Sequence, residues 1–145
     1  MLTGDYRNTL DEKGRIMFPS KLRSDLPQSS LILTQGLDTC LWLFTAREWE
    51  LLSNKIMENA SPFQAQSRLV WRRLIAPAQE IEIDKTGRIS IPQSLREYAG
   101  LKHDCVILGI NRYIELWDVD IYNKYLQDTE KQFQSATEEL GNIFF

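Results

Sequence analysis

The sequence is poor in the residues that build most active sites. Its 145 residues include two cysteines, Cys40 and Cys105, and one histidine, His103. The cysteines stand far apart, each inside an apolar run. Neither a Cys-x-x-Cys redox pair nor a metal knuckle can be written, and both read as small buried residues. A lone histidine excludes histidine clusters for zinc and leaves one base for any nucleophilic triad. Nothing like a serine elbow or a phosphate loop surrounds it, so His103 reads as an ordinary strand-edge residue. No run approaches the roughly 18 consecutive apolar residues of a membrane span. The opening residues Met1 to Asp5 lack the basic-then-apolar pattern of a signal segment. These absences point to a soluble cytoplasmic chain with no membrane role, no metal, no cofactor and no small-molecule substrate.

Positive charge is also scarce. The formal net charge is -3, which by itself counts against a nucleic-acid binder, because phosphate affinity begins with a basic footprint. The distribution changes that reading. Residues 118 to 145 hold Asp118, Asp120, Asp128, Glu130, Glu138 and Glu139 against Lys124 and Lys131, so the deficit lies in the tail. At the other end, Arg7, Lys13, Arg15, Lys21 and Arg23 outnumber Asp5, Asp11 and Glu12.

What the chain does have is a repeat. Residues 11 to 23, from Asp11 to Arg23, align without a gap to Asp84 through Arg96 at an offset of 73, with seven of thirteen positions identical. Unrelated sequences of ordinary composition share about one. At the same offset Gly36 meets Gly109, Leu43-Phe44 meets Leu116-Trp117 and Trp49 meets Tyr122. The repeated unit is therefore some forty residues long, and the architecture is a doubled one.

Each copy predicts the same elements in the same order. Strand-like stretches end at Leu10 and at Ile81 to Ile83, followed by Asp-x-x-Gly turns in which Gly14 and Gly87 supply positive φ. Arg-Ile-x-[Phe/Ile] is the return strand. Pro19 and Pro92 suit the first helical turn, which predicts short helices over 20–26 and 93–99, the second ended by Gly100. Strand pairs follow at Leu31 to Thr34 with Cys40 to Phe44, and at Cys105 to Leu108 with Tyr113 to Trp117. Thr45 to Glu48 has capping-box spacing, and Asp118 stands at the equivalent N-cap.

Between the copies, 62–75 reads as a helical connector with no Gly/Ser-rich linker, so the halves should pack rigidly. The expected division is residues 1–60, a connector at 61–76, and residues 77–145. Tyr122, Leu126, Thr129, Phe133, Ala136 and Leu140 repeat at spacings of four and three, which predicts one C-terminal helix with a continuous seam, expected to cover its own core rather than a neighbouring subunit.

The doubled pattern Asp-x-x-Gly-Arg-Ile-x-[Ile/Phe]-Pro-x-x-Leu-Arg resembles the looped-hinge helix of the SpoVT-AbrB DNA-binding fold, used also by several antitoxins. Two copies in a chain of this length look like the MraZ family, and the resemblance extends over Asp38 to Leu41, Trp49, Glu97 to Leu101 and Ile114 to Trp117. It implies an α+β fold of two tandem β-β-α-β-β swapped-hairpin units forming a pseudo-two-fold barrel from one chain, with a connecting helix and a C-terminal helix. It also implies a homo-oligomer, often a ring, that binds short direct repeats in double-stranded DNA and represses its own cluster of cell-division and wall-synthesis genes. Such a protein would sit in the cytoplasm at the nucleoid.

The residues of the loops suit that chemistry. Arg15 and Arg88 follow the turn glycines, so their guanidinium groups should project from a loop narrow enough to enter a groove, where arginine forks onto guanine O6 and N7 or bridges phosphates. The family resemblance assigns DNA contact to this arginine. Lys13 and Lys85 lie on the loops and would supply charge without base discrimination. Arg23 and Arg96 end the short helices, where phosphate contact and complementing the helix dipole remain open alternatives. Arg7 adds charge on the first copy, whereas the second has Glu80 in its place and Ser94 in place of Lys21, so the first loop is expected to carry more of the binding. Asp11 and Asp84 read as residues that close the loops, through salt bridges to Arg15 and Arg88. Arg68, Arg72 and Arg73 form a further basic cluster, expected to pair with acids of the C-terminal helix or of an adjacent subunit. The tryptophans read as core or interface anchors rather than base-stacking platforms.

Three other functions fit parts of the pattern. An AbrB-like antitoxin would carry one hinge motif and a disordered partner-binding tail, where this chain has a second copy. A ring scaffold without a DNA role keeps the repeat but leaves its cationic loops unused. An enzyme using Asp11 and Asp84 as a carboxylate pair lacks any accompanying polar group.

Overall fold

The computed structural model describes residues 1–144. Its order is β1 (Leu2–Thr9), β2 (Arg15–Met17), α1 (Ser20–Ser24), β3 (Ser30–Gln35), β4 (Leu41–Phe44) and α2 (Ala46–Glu58). The connector follows as α3 (Ala65–Val70) running into a π-helical turn, Trp71–Ile75. The second copy gives β5 (Gln79–Glu82), β6 (Arg88–Ser90), α4 (Gln93–Ala99), β7 (Asp104–Asn111), β8 (Ile114–Asp118), α5 (Val119–Asp128) and α6 (Glu130–Phe144).

The strands exchange partners between the copies. A six-stranded sheet runs β1-β7-β8-β4-β3-β5, and β2 and β6 form a separate two-stranded ribbon. Thus β1 pairs with β7 of the second copy, and β5 pairs with β3 of the first. The expected α+β fold of two tandem swapped-hairpin units in one chain is the fold observed. Its pseudo-two-fold axis passes between Trp42 and Glu115, which are equivalent in the two copies and face each other across β4 and β8. It also passes between Ile16 and Ile89, the equivalent pair at the centre of the ribbon.

The main core lies between the sheet, the ribbon and the two short helices. It is built of matched positions, among them Ile16 with Ile89, Phe18 with Ile91, Leu22 with Leu95, Leu41 with Ile114 and Leu43 with Leu116. Each such side chain contributes about 1.5–3 kcal/mol of burial. A smaller cluster on the opposite sheet face joins Cys40, Val106, Leu108 and Trp117 to α5. There Trp117 stacks on Tyr125 at 5.0 Å between ring centres.

Local chemistry sets the element ends. Thr45 accepts from the Glu48 amide and Asp118 from the Ile121 amide, so both expected caps form. Pro19 and Pro92 sit at the N-cap rather than inside the first turn; φ of -58° and -57° fits the pyrrolidine ring at that position as well. The first short helix stops at Ser24, because Pro27 disfavours helical backbone at Leu26. Gly100 closes α4 with φ of 62°.

The offset between copies is not constant. Leu31 pairs with Ile81 while Cys105 pairs with Asn8, so Leu31 corresponds to Cys105, one residue beyond the offset that relates the ribbons. The second copy carries one extra residue between helix and strand and one fewer in the following turn. Gly36 and Gly109 are consequently not equivalent, contrary to the ungapped alignment. Gly36 donates its amide to Cys40 across the turn, the place taken in the second copy by Ile110 donating to Tyr113.

The C-terminal seam is also broken. Thr129 interrupts it with φ of -108° and ψ of 8°, its hydroxyl bonding back to the Tyr125 carbonyl at 2.6 Å. A threonine hydroxyl that takes the carbonyl four residues earlier bends or ends a helix. The α5 part packs on the sheet, but α6 buries no residue, so the seam does not continue to cover its own core.

Candidate nucleic-acid interface

The ribbon carries the candidate site. Arg15 pairs with Ser90, Ile16 with Ile89 and Met17 with Arg88. Because side chains alternate along a strand, Ile16 and Ile89 point inward while Arg15, Met17, Arg88 and Ser90 share the outer face. The burial agrees: the two isoleucines are buried, Met17 and Ser90 are exposed, and the two arginines are half-buried. Arg15 and Arg88 sit diagonally on this face with Cα atoms about 8 Å apart, from strand rise and spacing.

Each arginine leaves a loop of fixed shape. Gly14 and Gly87 adopt φ of 78° and 85°, which other residues rarely take. In the first loop Asp11 Oδ1 accepts the amides of Lys13 and Arg15, and in the second Asp84 Oδ1 accepts those of Thr86 and Arg88. Both carboxyls lie below the usual carboxylate range, chiefly because of the amides of Arg15 and Arg88 respectively. The two loops also bond to each other, Phe18 donating to the Gly87 carbonyl and Ile91 to that of Gly14, each at 2.8 Å.

The loops differ in one respect. Arg15 Nε donates to Asp11 Oδ2 at 2.9 Å, the expected salt bridge. Arg88 instead makes a weak contact to the Thr86 hydroxyl at 3.4 Å and, among the described residues, has no ion pair. The expected second bridge, from Asp84 to Arg88, is therefore not formed. Asp84 spends its Oδ1 on the Thr86 hydroxyl, a partner the first loop lacks because Lys13 stands at that position.

Arg23 and Arg96 take a position that linear reading missed. Arg96 of the second copy lies over Gly14 of the first, where any Cβ would collide with its guanidinium, and it donates to the Ile91 carbonyl. Arg23 of the first copy lies over Gly87 of the second, its Nη1 3.4 Å from where a Cβ would stand. The swap of strands carries each helix-ending arginine to the opposite loop. The repeat supplied the signal, since exchanged hairpins must bring each short helix beside the other copy's turn.

Lys13 and Lys85 are exposed on the loops beside the ribbon. Arg7 is not part of this group. It stands on β1 beside Val106, faces the α5 side of the sheet, and lies 3.7 Å from Asp5. Asn8, its neighbour on the other face, donates to the Met17 carbonyl at 2.8 Å and ties β1 to the ribbon. Arg68 donates to the Pro62 carbonyl, and among the described residues neither it, Arg72 nor Arg73 forms an ion pair, so the expected pairing with the chain's own C-terminal acids is absent. No group of acidic, histidine or cysteine side chains suited to a metal ion occurs among the described residues, and no helix there is long and apolar enough to cross a membrane.

Comparison with known proteins agrees with the doubled fold. The family described as "MraZ protein, putative antitoxin-like" matches twice, over residues 1–73 and 74–142. A protein of Treponema denticola named transcriptional regulator MraZ is 61% identical over 144 residues, covering 99% of this chain and all of its own. One of Treponema pallidum with the same name is 48% identical over 141 residues, covering 97% of this chain and 95% of its own.

Proposed function

The chain belongs to the MraZ family, and from that premise we propose that it is a transcriptional regulator that grips double-stranded DNA with the outer face of the β2–β6 ribbon. The observation that carries the reading is that Arg15 and Arg88 lie together on the outer face of the ribbon, each at the root of a rigid loop. A two-stranded ribbon fits the major groove, and a spacing near 8 Å lets Arg15, held by Asp11, address a base edge while Arg88 reaches a nearby phosphate. Lys13 and Lys85 flank them and meet phosphate, which orients the ribbon without reading sequence.

Arg23 and Arg96 act on the loops they cover, holding the glycine turns, and reach phosphate only at the ribbon's edge. Arg7 lies outside the contact surface. The carboxylates of Asp11 and Asp84 are committed to loop amides, which leaves them unsuited to acid-base chemistry and agrees with a regulator rather than an enzyme.

One ribbon makes few phosphate contacts and binds weakly. Several copies held at fixed spacing turn later contacts into intramolecular ones, so a homo-oligomer on direct repeats gains avidity without new chemistry. The regulator works in the cytoplasm at the nucleoid, on the region upstream of its own gene, where it represses a cell-division and wall-synthesis cluster. The test is a gel shift on that upstream fragment against one with its direct repeats scrambled. Retardation of the first alone is expected; equal retardation of both overturns the reading.

A further inference from the structure

Two surfaces of this chain are left without partners, and they are complementary. The first is α6. Phe133, Leu140 and Phe144 fall along one stripe of it, with Ile143 on the shoulder, and they are 62%, 52%, 71% and 71% exposed. At 1.5 Å per residue the stripe runs about 17 Å from Phe133 to Phe144. Glu130 and Glu139 border it on opposite sides.

The second surface is the groove beside the connector, lined by Leu37, Leu69, Val70, Arg73 and Tyr98. Leu37 is 77% exposed and Leu69 56%. Arg73 is exposed at its edge, without an ion pair among the described residues.

We propose that α6 of one copy docks into the connector groove of a second copy of this chain, its apolar stripe on Leu37, Leu69 and Val70 and a flanking glutamate toward Arg73. Charge selects this occupant. An acidic helix is repelled by DNA and by anionic lipid, and helices that lie on membranes carry lysine and arginine on the polar face instead. An apolar groove rimmed by arginine is the surface an acidic amphipathic helix fits, and this chain carries both. The contact joins two different patches, so it propagates head to tail and closes when the rotation per copy allows. It rests on the oligomeric reading above and names the surfaces that make the oligomer.

The experiment is the mass of the full chain in solution, without DNA, by light scattering on a sizing column. Two variants remove one surface each: Phe133→Asp with Leu140→Asp on α6, and Leu69→Asp with Arg73→Glu on the connector. All four positions are exposed, and circular dichroism should be unchanged. The wild-type chain is expected to run as a multimer and each variant as a single chain. Mixed in equal amounts the two variants should form a one-to-one dimer, because one intact α6 and one intact groove remain between them. A wild-type mass of one chain, an unchanged mass in either variant, or a mixture that stays monomeric overturns the proposal. Arg15→Ala should leave the mass as it is, so failure of DNA binding and failure of this interface are read separately.

Discussion

Arg96 lies over Gly14, a residue of the opposite repeat, and fills the space a side chain would need there. Alanine at Gly14 must adopt φ of 78° and also displace the guanidinium that bonds the Ile91 carbonyl. The left-handed backbone costs roughly 1–2 kcal/mol, and the lost hydrogen bond adds about 1 kcal/mol. Gly87→Ala meets the same backbone cost, but the nearest atoms, Met17 Sδ at 3.1 Å and Arg23 Nη1 at 3.4 Å, give way more easily. Urea denaturation should therefore show Gly14→Ala as the more destabilised of the two, by about 1 kcal/mol. Equal losses would mean that Arg96 does not brace the first loop.

Much of this arrangement was legible in the sequence because its causes are local. The glycines of the turns, the caps at Thr45 and Asp118 and the alternation in each strand are decided within a few residues. The repeat added the doubled architecture. Three features depend on the exchange between copies or on small differences between them, and linear reading missed these. Arg23 and Arg96 look like helix-end cations until the swap places each on the other copy's loop. Thr86 in place of Lys13 decides that Arg88, unlike Arg15, has no carboxylate partner. Periodicity carried the C-terminal seam straight through Thr129, whose hydroxyl bonds back to Tyr125 where the helix breaks.

Acid should loosen the loops before it unfolds the sheet. Asp11 and Asp84 have folded values below the ordinary 3.8, held there mainly by the amides of Arg15 and Arg88. A carboxyl lowered on folding contributes stability that is full above its unfolded value and is lost as pH falls through the folded one. Stability should be flat in these two groups near neutrality and fall below about pH 4. Asp11→Asn with Asp84→Asn should be less stable at pH 7 and should flatten the decline. A decline of unchanged steepness in an acid titration of the urea midpoint would assign it to other carboxyls.

Neither cysteine should react in the folded protein. Burial pushes the Cys105 thiol up to about 12 and Cys40 higher still, and the two are fully enclosed. The thiolate is the reactive form, so a thiol reagent at pH 8 should label no site in the native chain and both in urea. Rapid native labelling of Cys40 would show that α5 parts readily from the sheet, since Cys40 belongs to the cluster that α5 covers.

On the proposed reading, the salt dependence of DNA binding should separate the roles of the two arginines. Each phosphate neutralised by a cation releases counterions, so log affinity falls against log salt by about 0.9 per contact. A guanidinium on a base edge contributes affinity with little effect on that slope. Arg15 is aimed by its ion pair to Asp11, whereas Arg88 has no such tether. A fixed orientation suits a forked contact to guanine, and a free side chain suits the less directional phosphate. Arg15→Ala should therefore abolish the preference for the upstream repeats over scrambled DNA while leaving the slope unchanged. Arg88→Ala should lower affinity on both sequences alike and reduce the slope by about 0.9 for each ribbon engaged. Titrations at several salt concentrations on both fragments decide between these roles, and a slope change on Arg15→Ala with preference intact would reverse them.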